Sequence, residues 1–284
     1  MKSSNLFPRV FIALSVLTIV FLSAAGYSFE KAHNSDPQLV QRLEERYNIR
    51  MGMGGVSKSM GKEGERAQDT WTEALPTDKI TITTISGKVE IKTSPAKEIQ
   101  ISAKGKLDTS LAPRLLDVSA SGGGLSIRQP DNDAVTNLEV EVLIPESYAK
   151  DLDIQSVSSD LSLRGLTLNT LDIKAVSGDA KLKNMTAQTV DFKTVSGDIE
   201  AENSTFTKVS GKTVSGDFDL ATDRSSNMDI NSTSGDVKLK IADGKNTQFT
   251  LKSMSGKIEN IHNDIKSGEF KISISTISGD IEVE

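Results

Sequence analysis

Residues 171–220 read LDIKAVSGDAKLKNMTAQTVDFKTVSGDIEAENSTFTKVSGKTVSGDFDL, and the Val-Ser-Gly-Asp element inside them returns every 19 residues. Related elements flank the stretch: SVSSD at 156–160, STSGD at 232–236, SMSGK at 253–257 and TISGD at 276–280. Taken at the glycine position, the series is Ser159, Gly178, Gly197, Gly216, Gly235, Gly256 and Gly279, with spacings of 19, 19, 19, 19, 21 and 23. A fixed period of this length marks a repeat architecture. The two longer spacings read as residues inserted at one corner, IHNDIKSG at 261–268 among them.

Within each repeat apolar and polar residues alternate. Leu171 and Ile173 bracket Asp172, and Val190 and Phe192, Met228 and Ile230, Phe249 and Leu251, and Ile272 and Ile274 repeat the pattern. Alternation of period two is a strand with one buried face. After the Ser-Gly-Asp corner a second short strand begins, with Ala180 and Leu182, Ile199 and Ala201, Phe218 and Leu220, and Val237 and Leu239 pointing inward. Gly165, Asn184 and Asn203 mark a further corner, because Gly and Asn tolerate left-handed backbone. Nineteen residues that already hold two or three short strands are too few for a βαβ crossover, and nothing in them reads as helical. The fold class expected is therefore all-β: a parallel β-solenoid, or β-helix, of about seven coils stacked ~4.8 Å apart.

Upstream, residues 76–146 hold one related element, TISGKVEI at 84–91, without the 19-residue spacing. Strand-like runs at Ile80–Ile91, Ile99–Lys106, Leu115–Ser121, Leu125–Gln129 and Leu138–Leu143 are separated by Gly, Pro and Asp-Asn turns. A solenoid needs its first coil covered, so 71–150 is expected to be a β-rich N-terminal cap and 151–284 the repeat body. Residues 26–70 read as a short helix, started by Ser35-Asp36-Pro37-Gln38, and a Gly-rich linker. Residues 1–25 read as a signal peptide or membrane anchor: Lys2 and Arg9, the apolar run from Val10 to Leu22, then Ser23-Ala24-Ala25. Either form places the remainder outside the cytoplasmic membrane, in the periplasm, at the cell surface or secreted. The membrane is then met only through this segment if it stays uncleaved.

The run VEVLIPESYAKDLDIQSVSSDLSL at 140–163, with LDIKAVSGDAKLKN, VDFKTVSGDIEAEN and ISTISGDIEVE after it, resembles the bacterial "putative adhesin" family of Ser-Gly-Asp repeat domains. The resemblance covers about residues 75–284. It implies a β-solenoid on an exported or tethered protein, and no established activity. Ser159 in place of Gly, and Lys88 and Lys257 in place of Asp, depart from the repeat. These departures argue against the Asp being an obligatory ligand.

Chemistry is sparse in this chain. Its 284 residues include no Cys and only two His, His33 and His262. Thiolate metal sites, disulfides, Cys nucleophiles and His-rich centres are excluded. A net charge of −6 with no basic block argues against nucleic acid as a partner. Glycines 178, 197, 216, 235, 256 and 279 (Gly178, Gly197, Gly216, Gly235, Gly256, Gly279) are expected to be structural corners. The sharpest ligand column is Asp160, Asp179, Asp198, Asp217 and Asp236, which stacking would align. Such a column could hold calcium, yet at ~4.8 Å in water the repulsion between neighbours is only ~0.9 kcal/mol, so no ion is required. Outward Asp153, Asp172, Asp191 and Asp229 lie beside Lys174, Lys193, Lys212 and Lys252 and read as surface ion pairs. Trp71 is expected to pack at the start of the β body, and His262 to be a solvated loop residue.

No cofactor, metal or catalytic residue is expected. The function expected is a non-enzymatic interaction or structural module of the cell envelope, its partner an unidentified protein or an envelope polysaccharide. The alternative is a polysaccharide-active β-helix protein, which an aromatic strip beside clustered carboxylates would favour. The last strand, Ile281 to Glu284, is expected to form the open end of the rod, with Glu259, Glu282 and Glu284 guarding it by charge.

Overall fold

A computed structural model describes residues 65–130, 134–224, 226–241, 246–262 and 268–284. The expected export segment, helix and most of the linker lie outside the described residues. The chain runs through β1 (Glu65–Glu73), β2 (Lys79–Ser94), β3 (Ile99–Leu107), β4 (Asp117–Ser121), β5 (Gly124–Arg128) and β6 (Val135–Pro145). The repeats follow as β7 (Asp151–Arg164), β8 (Thr167–Ser177), β9 (Ala180–Lys183), β10 (Thr186–Thr194), β11 (Ile199–Ser215) and β12 (Phe218–Thr222). The last strands are β13 (Asn227–Ser234), β14 (Val237–Ile241), β15 (Thr247–Ser255), β16 (Ile258–Asn260), β17 (Phe270–Ser278) and β18 (Ile281–Val283). The fold is all-β, with no helix among the described residues.

The 19-residue period becomes a parallel, solenoid-like stack. Leu152 pairs with Leu171, Leu171 with Val190, and Val190 with Val209, so each chain turn lies on the one before it in register. The second side stacks likewise: Leu161 on Ala180, Ala180 on Ile199, Ile199 on Phe218, Phe218 on Val237. The alternation read from the sequence puts Ile154, Ile173, Phe192 and Ile230 in one fully buried column and Leu163, Leu182, Ala201, Leu220 and Leu239 in another. Burying each such side chain is worth roughly 1.5–3 kcal/mol, which makes these columns the main stabilising element. Asn184 and Asn203 take φ of 54° and 48° and Gly165 takes 71°, so the second corner is left-handed as expected.

The stack reaches further upstream than the repeat spacing does. β2 lies on β7 from Lys79↔Asp151 to Lys92↔Arg164. Its other edge then divides. Ile80–Thr83 pairs with β5 and Lys88–Ser94 with β6, both parallel. Beyond them pairing turns antiparallel, in β5–β4 on one side and β6–β3–β1 on the other. Trp71, on β1, packs partly buried against the core. Tyr148, between β6 and β7, is buried and donates its hydroxyl to the Asp151 carbonyl at 2.6 Å. Burial pushes its hydroxyl well above the ordinary tyrosine range.

The order of the last levels differs from the order of the sequence. β13 pairs with β17, not with β15, and β14 pairs with β18. β15 and β16 then pair with the far edges of β17 and β18. The level made by residues 270–283 is therefore inserted between the two levels that precede it in the chain. This corrects two expectations. The longer spacings are not a simple corner insertion, since they carry the chain past one level and back. Nor is the last strand the open end: Val283 is 0% exposed, between Leu239 and Asn260. Glu282 and Glu284 face Lys238 of the level below, at 3.3 and 3.4 Å, and guard no edge. Their hydrogen bonds hold the Lys238 ammonium above its ordinary pKa.

Candidate functional site

The Ser-Gly-Asp corners align along one side of the stack and bring the predicted residues together. Gly197 has φ 136°, and a Cβ built on it would lie 2.3 Å from the Gly178 carbonyl oxygen. The same contact recurs at Gly178, Gly216, Gly235, Gly256 and Gly279, with distances of 2.0–2.3 Å to the oxygen of the adjoining level. The six glycines are thus fixed by close approach between levels, and Gly178, Gly197, Gly216 and Gly235 by positive φ as well. Where Ser159 replaces glycine, it is buried, its Oγ donating to Thr84 Oγ1 at 3.0 Å.

The aspartates form a ladder. The Asp198 amide donates to Asp179 Oδ1 at 3.0 Å, Asp217 to Asp198 at 2.9 Å, and Asp236 to Asp217 at 2.8 Å. Asp179 donates more weakly to Asp160, at 3.4 Å. The ladder continues through Asp280, whose amide reaches Asp236 Oδ1 at 2.7 Å, and ends where the Lys257 amide reaches Asp280 Oδ1 at 2.7 Å. At the other end Lys88 is the register partner of Asp160. The run of carboxylates is therefore closed by a lysine position at each end. An amide dipole lies between each pair of carboxylates. A hydrogen bond to a charged acceptor is worth about 1.5–3 kcal/mol before solvent screening, more than the ~0.9 kcal/mol repulsion it offsets.

This ladder also gives the level order a physical reason. A lysine cannot accept the amide of a following level. With residues 247–260 placed on β13 and β14, Lys257 would break the carboxylate run and leave the Asp280 amide without its acceptor. Asn260, register partner of Val283 in an otherwise aliphatic column, is likewise tolerated only at an end.

Replacing Asp198 by Asn should leave the melting temperature close to the parent's, because the amide oxygen still accepts. Asp198→Ala should cost about 1 kcal/mol more. Equal denaturation midpoints for the two variants would contradict the ladder.

Two further columns flank the ladder. Thr84, Ser156, Thr194, Thr213, Ser232 and Thr276 point inward and are buried, and the hydroxyls of Thr194, Thr213, Ser232 and Thr276 have no hydrogen-bond partner. Sequence reasoning missed this column, although its signal, a hydroxyl residue three before every corner glycine except Gly178, which has Ala175, is in the repeat. Outside it runs an aliphatic stripe, Ile85, Val157, Val176, Val195, Val214, Ile277 and Met254, broken only by Thr233 and half-buried to exposed. On the neighbouring face Lys174 pairs with Asp172 and Lys193 with Asp191, each at 2.6 Å. Burial works against the Lys174 charge, but the bond to Asp172 and the nearby Asp153 and Asp191 outweigh it and raise its pKa.

Where β2 meets β6 and β7, the outer surface is concave, an open cleft of about 550 Å³ lined by Lys88, Glu90, Lys104, Glu139, Glu141 and Asp160 among others. No aromatic side chain lines it. His262 departs from expectation: its ring stacks on Phe249 at 5.7 Å and its Nε2 is buried. Among the described residues no cluster of three or more His, Asp or Glu has metal-holding geometry.

These features define a parallel β-stack whose repeated polar residues hold neighbouring levels together. The chain belongs to the Toastrack DUF4097 family, which matches residues 77–284. The chain is also similar, at low identity, to several solved structures. A "putative adhesin" from Bacteroides fragilis is 17% identical, over 78% of this chain and 97% of that one, at a TM-score of 0.49. A "putative adhesin" from Parabacteroides merdae is 11% identical over 78% and 97%, at 0.44. A "putative lipid binding protein" from Parabacteroides distasonis is 16% identical over 78% and 98%, at 0.41. No curated protein matches the chain.

Proposed function

We propose that this chain is a non-enzymatic interaction module of the cell envelope, exported by its N-terminal segment, whose stack presents a rigid ridge to a partner protein. The observation that carries the reading is the ridge itself. Beside the ladder, whose carboxylates accept amides of the adjoining levels, runs the aliphatic stripe from Ile85 to Met254, interrupted only at Thr233. A rigid row of aliphatic groups beside a row of charge suits protein recognition, where an apolar centre is rimmed by polar groups. Sugar-binding faces use aromatic platforms, and neither the cleft nor the ridge has one. The polysaccharide reading is therefore the weaker of the two.

The test uses the full chain, tagged, in its own cells and on washed envelopes. The protein is expected in the envelope or outside the cell, digested by protease added to intact cells. Added protein should be retained by envelopes, and Val176→Glu/Val195→Glu should reduce retention at least tenfold with the melting temperature unchanged. Removing envelope polysaccharide should leave retention intact, whereas pretreating envelopes with protease should abolish it. A cytosolic protein, or retention lost with the polysaccharide and indifferent to the double variant, would overturn the reading.

A further inference from the structure

We propose that two copies of this chain join end to end, β16 pairing antiparallel with β16 of the second copy about a two-fold axis at Ile258. The level formed by β15 and β16 is unlike the others. Leu251 is half-buried where Ile173, Ile230 and Ile274 of the same column are fully buried. Ile258 is 42% exposed where Ile199, Phe218, Val237 and Ile281 are buried, and Met254 and Ile261 add 83% and 75% exposure beside it. The apolar columns of the stack thus open at this end, and among the described residues nothing covers them.

Backbone geometry fixes how this edge can be met. β16 pairs only with β18. The Ile281 amide donates to the Lys257 carbonyl at 2.9 Å, and the Ile261 amide to the Val283 carbonyl at 3.1 Å. Parallel pairing alternates residues along a strand, so Lys257, Glu259 and Ile261 bond inward while the N–H and C=O of Ile258 and Asn260 point away from the stack. Two such edges set antiparallel, with Ile258 opposite itself, exchange both hydrogen bonds across the axis.

The same register places Lys257 of each copy opposite Glu259 of the other. Within one copy Lys257 already pairs with Glu259, so contact makes a four-charge cluster of alternating sign around two facing isoleucines. Moving the axis one residue either way sets Lys257 against Lys257 or Glu259 against Glu259. Of the two registers that set an outward-pointing residue on the axis, Ile258 or Asn260, only the first brings opposite charges face to face, which is why the occupant is a second copy in that register. Of the aliphatic ridge only Met254 lies on this end level, and Val176 and Val195 stay free in the dimer, so the inference stands or falls apart from the proposed function.

The chain has no cysteine, so Ile258→Cys introduces a single thiol. Residues that exchange hydrogen bonds across an antiparallel pair lie about 5.5 Å apart at Cα, within disulfide reach. The full-length variant in detergent solution is expected to oxidise to a covalent dimer. Adding Lys257→Glu should cut the yield at least tenfold, and adding Lys257→Glu with Glu259→Lys should restore it. Ser119→Cys, on β4 at the opposite end, should stay monomeric under the same conditions. Sedimentation of the unmodified chain should show its mass double with concentration. A monomeric Ile258→Cys, equal cross-linking through Ser119→Cys, or failure of the charge exchange to restore the dimer would each overturn the proposal.

Discussion

Gly197→Val is expected to destabilise the protein by about 3 kcal/mol or more, the combined scale of left-handed backbone strain and overpacking. The new Cβ would sit 2.3 Å from the Gly178 carbonyl oxygen, inside any tolerable contact. Relief requires the two levels to part, which would stretch the Asp198 amide away from Asp179, 3.0 Å distant. Urea denaturation monitored by far-ultraviolet circular dichroism reads the effect, and a midpoint equal to the parent's would defeat the corner geometry. Placing a β-branched residue here tests the glycine more sharply than alanine would, because it also restricts χ1.

The second large effect is at the other end of the chain. Val283→Asp should cost about 3 kcal/mol or more, the scale of burying a carboxylate without a partner. The reason is the inserted level: Val283 pairs with Leu239 on one side and Asn260 on the other and is fully buried. In a stack ordered by sequence, the same residue would lie on an open end and the substitution would be nearly silent. Ile258→Asp should therefore be mild, since Ile258 occupies the true end and is partly exposed. If Ile258→Asp proved the more damaging of the two, the level order would be wrong.

The stack was legible in the sequence because its cause is periodic. A strict 19-residue interval, alternating burial and a glycine at each corner leave few folds that satisfy all three. The left-handed corners at Asn184 and Asn203 followed from residue type alone. What the sequence hid was everything decided between repeats. Similar repeats pair almost equally well in more than one order, so periodicity cannot say which level sits where. The signals that do decide were single residues. Lys257 was visible as a departure from the repeat, but its meaning, the end of an amide-to-carboxylate ladder, needs the ladder first. Asn260 in an aliphatic column is the same kind of signal. Glycine at 211 is another: a Cβ there would meet the Phe218 ring at 2.9 Å, so a small residue on one side of the stack accommodates a large one on the other. Of the ligand column, position was legible and use was not, because the backbone amides that occupy the carboxylates have no sequence signature. His262 was misjudged for a related reason, since its stacking on Phe249 depends on where the chain returns.

The inserted level has a consequence for how the protein is made. Synthesis delivers residues 247–260 before residues 270–284, yet the later segment is the one that rests on β13 and β14. A nascent chain offers the growing stack the wrong level first, and that level can pair there through much the same backbone bonds. Native order is reached only when the final segment displaces it or arrives before it has set. Folding level upon level is thereby interrupted at this point, and this part of the stack closes only after residues 270–284 have left the ribosome.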